Sequence, residues 1–98
     1  DLLGAATVAT MTGSGPTVCA SGACWYAAGW LVRPTQGDAN WWHGGSLPGT
    51  TSILVRAHNG VSWVALFNAR VSPAFDREVD GALWAAMGKV AAWPAHDL

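Results

Sequence analysis

The sequence predicts an α+β fold: one helix, a three-stranded antiparallel sheet, and a C-terminal helix, with both helices packed on one face of the sheet. Three observations carry this reading. Asn59-Gly60 separates the apolar-rich runs TTSILVRAH and VSWVALFN, and that dipeptide is favoured in two-residue type I′ hairpins. Phe75, Val79, Leu83, Met87 and Val90 recur at spacings of four, four, four and three, the period of one apolar helix face. The chain has 98 residues, 51% hydrophobic and 11% charged, which fits a single domain (1–98) and argues against disorder.

Each element has its own signal. Leu2 to Met11 is rich in Ala and Leu, and Gly13 stands where a first helix would end. Thr12 to Thr17 is loop by composition. Tyr26 to Val32 reads as a strand that the Arg33-Pro34 step should terminate. Thr35 to Asn40 turns the chain, and Trp41 to His58 reads as a long strand broken near Gly45–Gly49. The two-residue hairpin places Val55 opposite Val64 and Arg56 opposite Trp63, so Arg56 should lie over the Trp63 ring. Both faces of that pair are then apolar, which predicts a sheet covered on two sides. Ser72-Pro73 opens the last helix, which should run to about Trp93-Pro94.

Composition excludes several functions. A formal net charge of −1 gives no electrostatic reason to bind nucleic acid or an anionic membrane. No apolar run is long enough for a membrane span, and no basic-then-apolar leader is visible. The start at Asp1 reads as a processed, cut or cloned segment. Cys19 and Cys24 enclose four residues, so they either close a small disulfide loop, which would imply an oxidising compartment, or remain two free thiols. His43, His58 and His96 have no metal-ligand spacing, and no cofactor motif is present. His58, before the Asn-Gly turn, reads as solvated, and Asp76, Glu78 and Asp80 read as charges favoured at a helix start.

The stretch NWWHGGSLPGTTSILV, Asn40 to Val55, sets bulky indoles beside a bare Gly-Gly pair. Glycine weakens a strand, so a close approach of ligand or chain to the backbone is the natural compensation. The order Tyr26-Ala-Ala-Gly-Trp30, then HGGSLPGTTS from His43, then VALFNA ending near Asn68, then a Pro73-led helix resembles the C-terminal part of the serine β-lactamase-like family. That family includes class C β-lactamases, D-Ala-D-Ala carboxypeptidases and related esterases. The resemblance implies a partial β-lactamase-like fold, with His43-Gly44-Gly45 on the strand that borders the active site. It implies His43 and Ser46 as catalytic contributors, His43 by positive potential and Ser46 by a backbone N–H of the oxyanion hole. Gly44, Gly45 and Leu47 would bind an acyl-amide or ester substrate laid along the strand. A periplasmic or secreted location is implied as well.

The departures bear on activity. Acyl transfer in the family needs a serine three residues before a lysine, yet the lone lysine, Lys89, follows Ala86 at that spacing. The family's Tyr-X-Asn motif is missing too, since Tyr26 is followed two residues later by Ala28. The chain alone is therefore expected to be inactive, its nucleophile supplied by the remainder of a parent hydrolase. The alternative is a non-catalytic binding or assembly module derived from that fold. With little charge and much apolar surface, the isolated chain is expected to self-associate through a sheet edge or the site-side face.

Overall fold

The computed structural model describes residues 2–20 and 22–93. It contains helix α1 (Ala5–Thr12), strands β1 (Trp25–Tyr26), β2 (Leu31–Thr35), β3 (Asp38–Leu47), β4 (Thr50–Arg56) and β5 (Ser62–Phe67), and helix α2 (Pro73–Met87). The fold class is α+β, and the sheet has five strands rather than three, in the order β1-β2-β3-β4-β5. All neighbours are antiparallel, so the sheet is a simple meander.

The extra strands come from tight turns that apolar patterning does not resolve. The single strand expected over Tyr26–Val32 is a hairpin: Gly29 takes φ +83°, and Tyr26 pairs with Leu31. Gln36 and Gly37 both have positive φ, 49° and 82°, between paired Thr35 and Asp38. The primed two-residue hairpin therefore sits there rather than at Asn59-Gly60. The long strand expected over Trp41–His58 reverses at Pro48-Gly49, where Gly49 has φ +83° and Leu47 pairs with Thr50. Pro34 does not end β2, which continues to Thr35 with Pro34 opposite Ala39. Proline is tolerated at a sheet margin, where no ladder partner needs its missing N–H.

The β4–β5 connection corrects the predicted register. Ala57 N–H donates to Val61 O at 2.8 Å, and only Gly60 of the loop has positive φ (+87°), so the loop holds three residues rather than two. Val55 consequently faces Trp63, and Leu54 faces Val64. A slip of one residue moves every side chain of β5 to the other face. Trp63, Ala65 and Phe67 join Val55 and Ile53 on one face, while Val64 and Leu66 share the other with Leu54. Arg56 accordingly lies 4.6 Å over the Trp41 ring, not over Trp63.

The helices lie on opposite faces, which overturns the expectation of a single helical layer. On one face, α2 docks by edge-to-face ring contacts, Trp84 on Trp63 (4.7 Å) and Phe75 on Phe67 (5.3 Å). The C-terminal end of α1 meets the β1 end of the sheet: the Trp25 indole N–H donates to Thr12 O, and Ala28 N–H donates to Met11 O. There α1 stands beside Trp41 and Arg56, whose side chains point away from α2. The Ser72 hydroxyl accepts from Phe75 N–H and caps α2, which stops at Met87, short of the expected end. Pro94 and His96 lie outside the described residues.

The core is thin. Among the described residues, Cys24, Val32, Val55 and Ala57 are the fully buried apolar side chains. The chain exposes 6870 Å². A compact protein of its 10.2 kDa mass exposes about 5,300 Å² by the surface–mass relation, so this chain has an excess of about 1,600 Å². Leu54, Val64 and Leu66 are exposed on the α1 side of the sheet, so this half is not covered on two sides as predicted. Cys19 and Cys24 are disulfide-bonded, with Cα atoms 5.4 Å apart. No helix among the described residues is long and apolar enough to cross a membrane.

Candidate functional site

β3 has two halves. From Asp38 to Trp42 it is paired by β2, with β4 joining at Trp41 and Trp42; from His43 to Leu47 it is paired by β4 alone. β2 falls away because the chain reverses around Gly29 and Trp30 before it can run farther. Alternate backbone N–H and C=O groups of His43–Leu47 therefore face outward without a strand partner. All five predicted site residues, His43, Gly44, Gly45, Ser46 and Leu47, fall on this open run.

The two glycines have different surroundings. A Cβ at Gly45 would stand 2.5 Å from the Ser52 hydroxyl across the ladder, so that position is crowded by the chain itself. A Cβ at Gly44 would meet only Ser52 O at 3.9 Å, an ordinary contact. Gly44 is bare without any need of the fold for it to be so.

The open run separates two clefts. One, about 400 Å³, lies on the α2 side against Trp42, Gly44, Ser46, Thr51 and Asp76. The other, about 490 Å³, lies on the opposite side against Trp30, His43, Leu54, Val64 and Leu66. His43 is exposed at the edge of the second cleft. The strand pleat sends the His43 and Ser46 side chains to opposite faces, so they do not form a side-chain pair. A backbone contribution from Ser46 is compatible with this arrangement, whereas a Ser46 hydroxyl activated by His43 is not.

Polar groups outside the predicted set also line the first cleft. The Thr51 hydroxyl and Asp76 Oδ1 are buried with no hydrogen-bond partner among the described residues. Thr51 faces Ser46 across the ladder and is 6% exposed; Asp76 lies in the first turn of α2. The sequence offered no signal for Thr51. Asp76 does occupy the predicted helix start, but it also turns a carboxylate oxygen inward.

At the far end of β3, His58 is anchored rather than solvated. Asn40 Oδ1 accepts its backbone N–H at 2.8 Å and stands 3.2 Å from ring Nδ1. Asp38 pairs with Arg56 at 2.8 Å and accepts Ala39 N–H; the Arg56 hydrogen bond first, then that of Ala39, holds its carboxyl below the ordinary value. Among the described residues, no three His, Cys, Asp or Glu side chains are grouped to hold a metal ion. Compared with protein-family models, curated proteins and solved structures, the chain has no match.

Proposed function

We propose that the chain is the C-terminal part of a β-lactamase-like serine hydrolase, supplying the substrate-binding strand to a site that another segment completes. The observation that carries this reading is the open run His43–Leu47, with Gly44 bare although the fold leaves room for a side chain there. An acyl-amide or ester laid along this edge would add its own carbonyl and N–H groups to the ladder as an extra strand. The bare Gly44 allows its backbone to approach. The Ser46 N–H would donate to the oxyanion that develops when a nucleophile attacks the acyl carbon. One such donor is worth about 2.7–4 kcal/mol in comparable sites. His43, at the edge of the neighbouring cleft, would supply positive potential or a proton-transfer contact.

The nucleophilic serine, its lysine and the Tyr-X-Asn group would come from the remainder of the hydrolase, which would also cover Leu54, Val64 and Leu66. A disulfide at Cys19–Cys24 supports a periplasmic or secreted location. The isolated chain should leave a chromogenic cephalosporin and a p-nitrophenyl ester at the buffer rate. Mixed with a polypeptide bearing the Ser-X-X-Lys lobe, it should restore turnover, and Gly44→Val should abolish that restoration. Acylation of a serine in the isolated chain by a fluorescent penicillin, located by mass spectrometry, would overturn the proposal.

A further inference from the structure

The sheet ends differently on its two sides. At the β1 end, the edge is short and occupied: Tyr26 N–H donates to Pro16 O, and Thr17 bridges Trp25. Behind it, β2 carries Arg33 and Pro34, a charge and a missing N–H that discourage further pairing. At the other end stands β5, Ser62-Trp63-Val64-Ala65-Leu66-Phe67, with no neighbour beyond it among the described residues. Its six residues include no charge, proline or glycine, and Val64 and Leu66 are 58% and 76% exposed. None of the usual devices that blunt a strand edge is present along it.

We infer that β5 pairs antiparallel with β5 of a second copy of this chain, joining two five-stranded sheets into one of ten strands. Symmetry narrows the register. The two-fold axis relating adjacent identical antiparallel strands is perpendicular to the sheet, so it keeps each side chain on its own face. Residues of the same face must then oppose one another. With Ala65 on the axis, Trp63 meets Phe67 of the second copy and Val64 meets Leu66, on faces the β4 register already sorts in this way. Moving the axis to Val64 would set Ser62 against Leu66 and lose the cross-strand ring pair.

The second copy is the occupant that the surface accommodates. A standard interface buries about 800 Å² per partner; the chain's excess of about 1,600 Å² is spread over its surface, and at this edge it includes the exposed Val64 and Leu66. A net charge of −1 per chain offers little repulsion. β4 separates this edge from the open run of β3, so the pairing leaves that run free.

Sedimentation equilibrium of the whole chain at micromolar concentration should give a dimer. Under oxidising conditions Ala65→Cys should cross-link to itself. Val64→Cys and Leu66→Cys should each cross-link poorly alone and well when mixed. Leu66→Lys, at an exposed position, should keep the far-UV circular dichroism and weaken the dimer by more than about tenfold, or about 1.4 kcal/mol. A 10.2 kDa monomer across the concentration range would overturn the inference. So would a dimer in which Ala65→Cys fails to cross-link, or one that Leu66→Lys leaves intact.

Discussion

The two faces of the sheet are built from the same strands and finished differently. Under α2, rings from β5 and the helix interlock, and Val55 is fully buried beneath them. On the other face, α1 meets the sheet near Trp25 and Trp41, where Val32 is buried, and leaves Leu54, Val64 and Leu66 open; neither helix itself contributes a fully buried residue. Apolar patterning alone does not distinguish them. What differs is cover, and the uncovered face borders the strand run that carries His43. The chain thus folds around one complete layer and presents half of a second.

Substitution should expose that asymmetry most strongly at the rings. Trp84→Ala removes the edge-to-face contact with Trp63 and should cost about 2 kcal/mol, because Trp84 is only half-buried. Leu66→Ala on the open face should change stability by less than about 0.5 kcal/mol in dilute, monomeric protein. Urea titration of both variants measures the difference, and equal losses would mean that the open face is covered after all.

Reduction of Cys19–Cys24 tests the α1 side, because the bridge closes just before β1 and Cys24 is fully buried. The loop is short, so the chain-entropy contribution should be about 2 kcal/mol, read as a lower urea midpoint in reductant. A smaller effect is expected at the glycines. Gly44→Ala should leave stability unchanged or raise it by up to about 1 kcal/mol, since the added methyl meets only Ser52 O and alanine restricts the unfolded chain. Gly45→Ala should be the less stable of the two, because its methyl displaces the Ser52 hydroxyl. Thermal unfolding of the pair decides this ordering.

The smallest effect concerns pH. Arg56 holds the Asp38 carboxyl below its ordinary 3.8, so folding gains from the ionised form. That stabilisation is fully present above the unfolded value and is lost as pH falls through the lower, folded one. The pair is solvent-exposed, so the loss should be slight and should shrink further in salt. Asp38→Asn should flatten this part of the acid-unfolding curve.

Much of this architecture was legible in the residues. The α2 start follows from Ser72-Pro73, and the apolar spacing from Phe75 marks the face that bears on the sheet. The alternation of Trp41 and Trp42 across β3 follows from strand pleating. The hidden parts depended on single backbone angles. Asn59-Gly60 suits a two-residue turn, yet pairing of Ala57 with Val61 gains a hydrogen bond and brings Trp63 and Phe67 to the helix side together. Likewise, Gly29 splits an apolar run into two strands by a positive φ that hydropathy does not encode. His43-Gly44-Gly45 marks the candidate run in the sequence; its open edge could not be read there, because that depends on how far β2 extends. Thr51 and the inward oxygen of Asp76 emerge only from tertiary packing.

The central claim is that His43–Leu47 is an edge that receives an extended acyl ligand, and amide NMR tests it most directly. An N-acyl-D-Ala-D-Ala peptide titrated into the whole chain should shift the amides of Gly44, Gly45 and Ser46 in a saturable manner, and Gly44→Val should abolish the shifts while leaving the fold intact. Saturable shifts confined to other strands, or no shifts at millimolar peptide, would contradict the account.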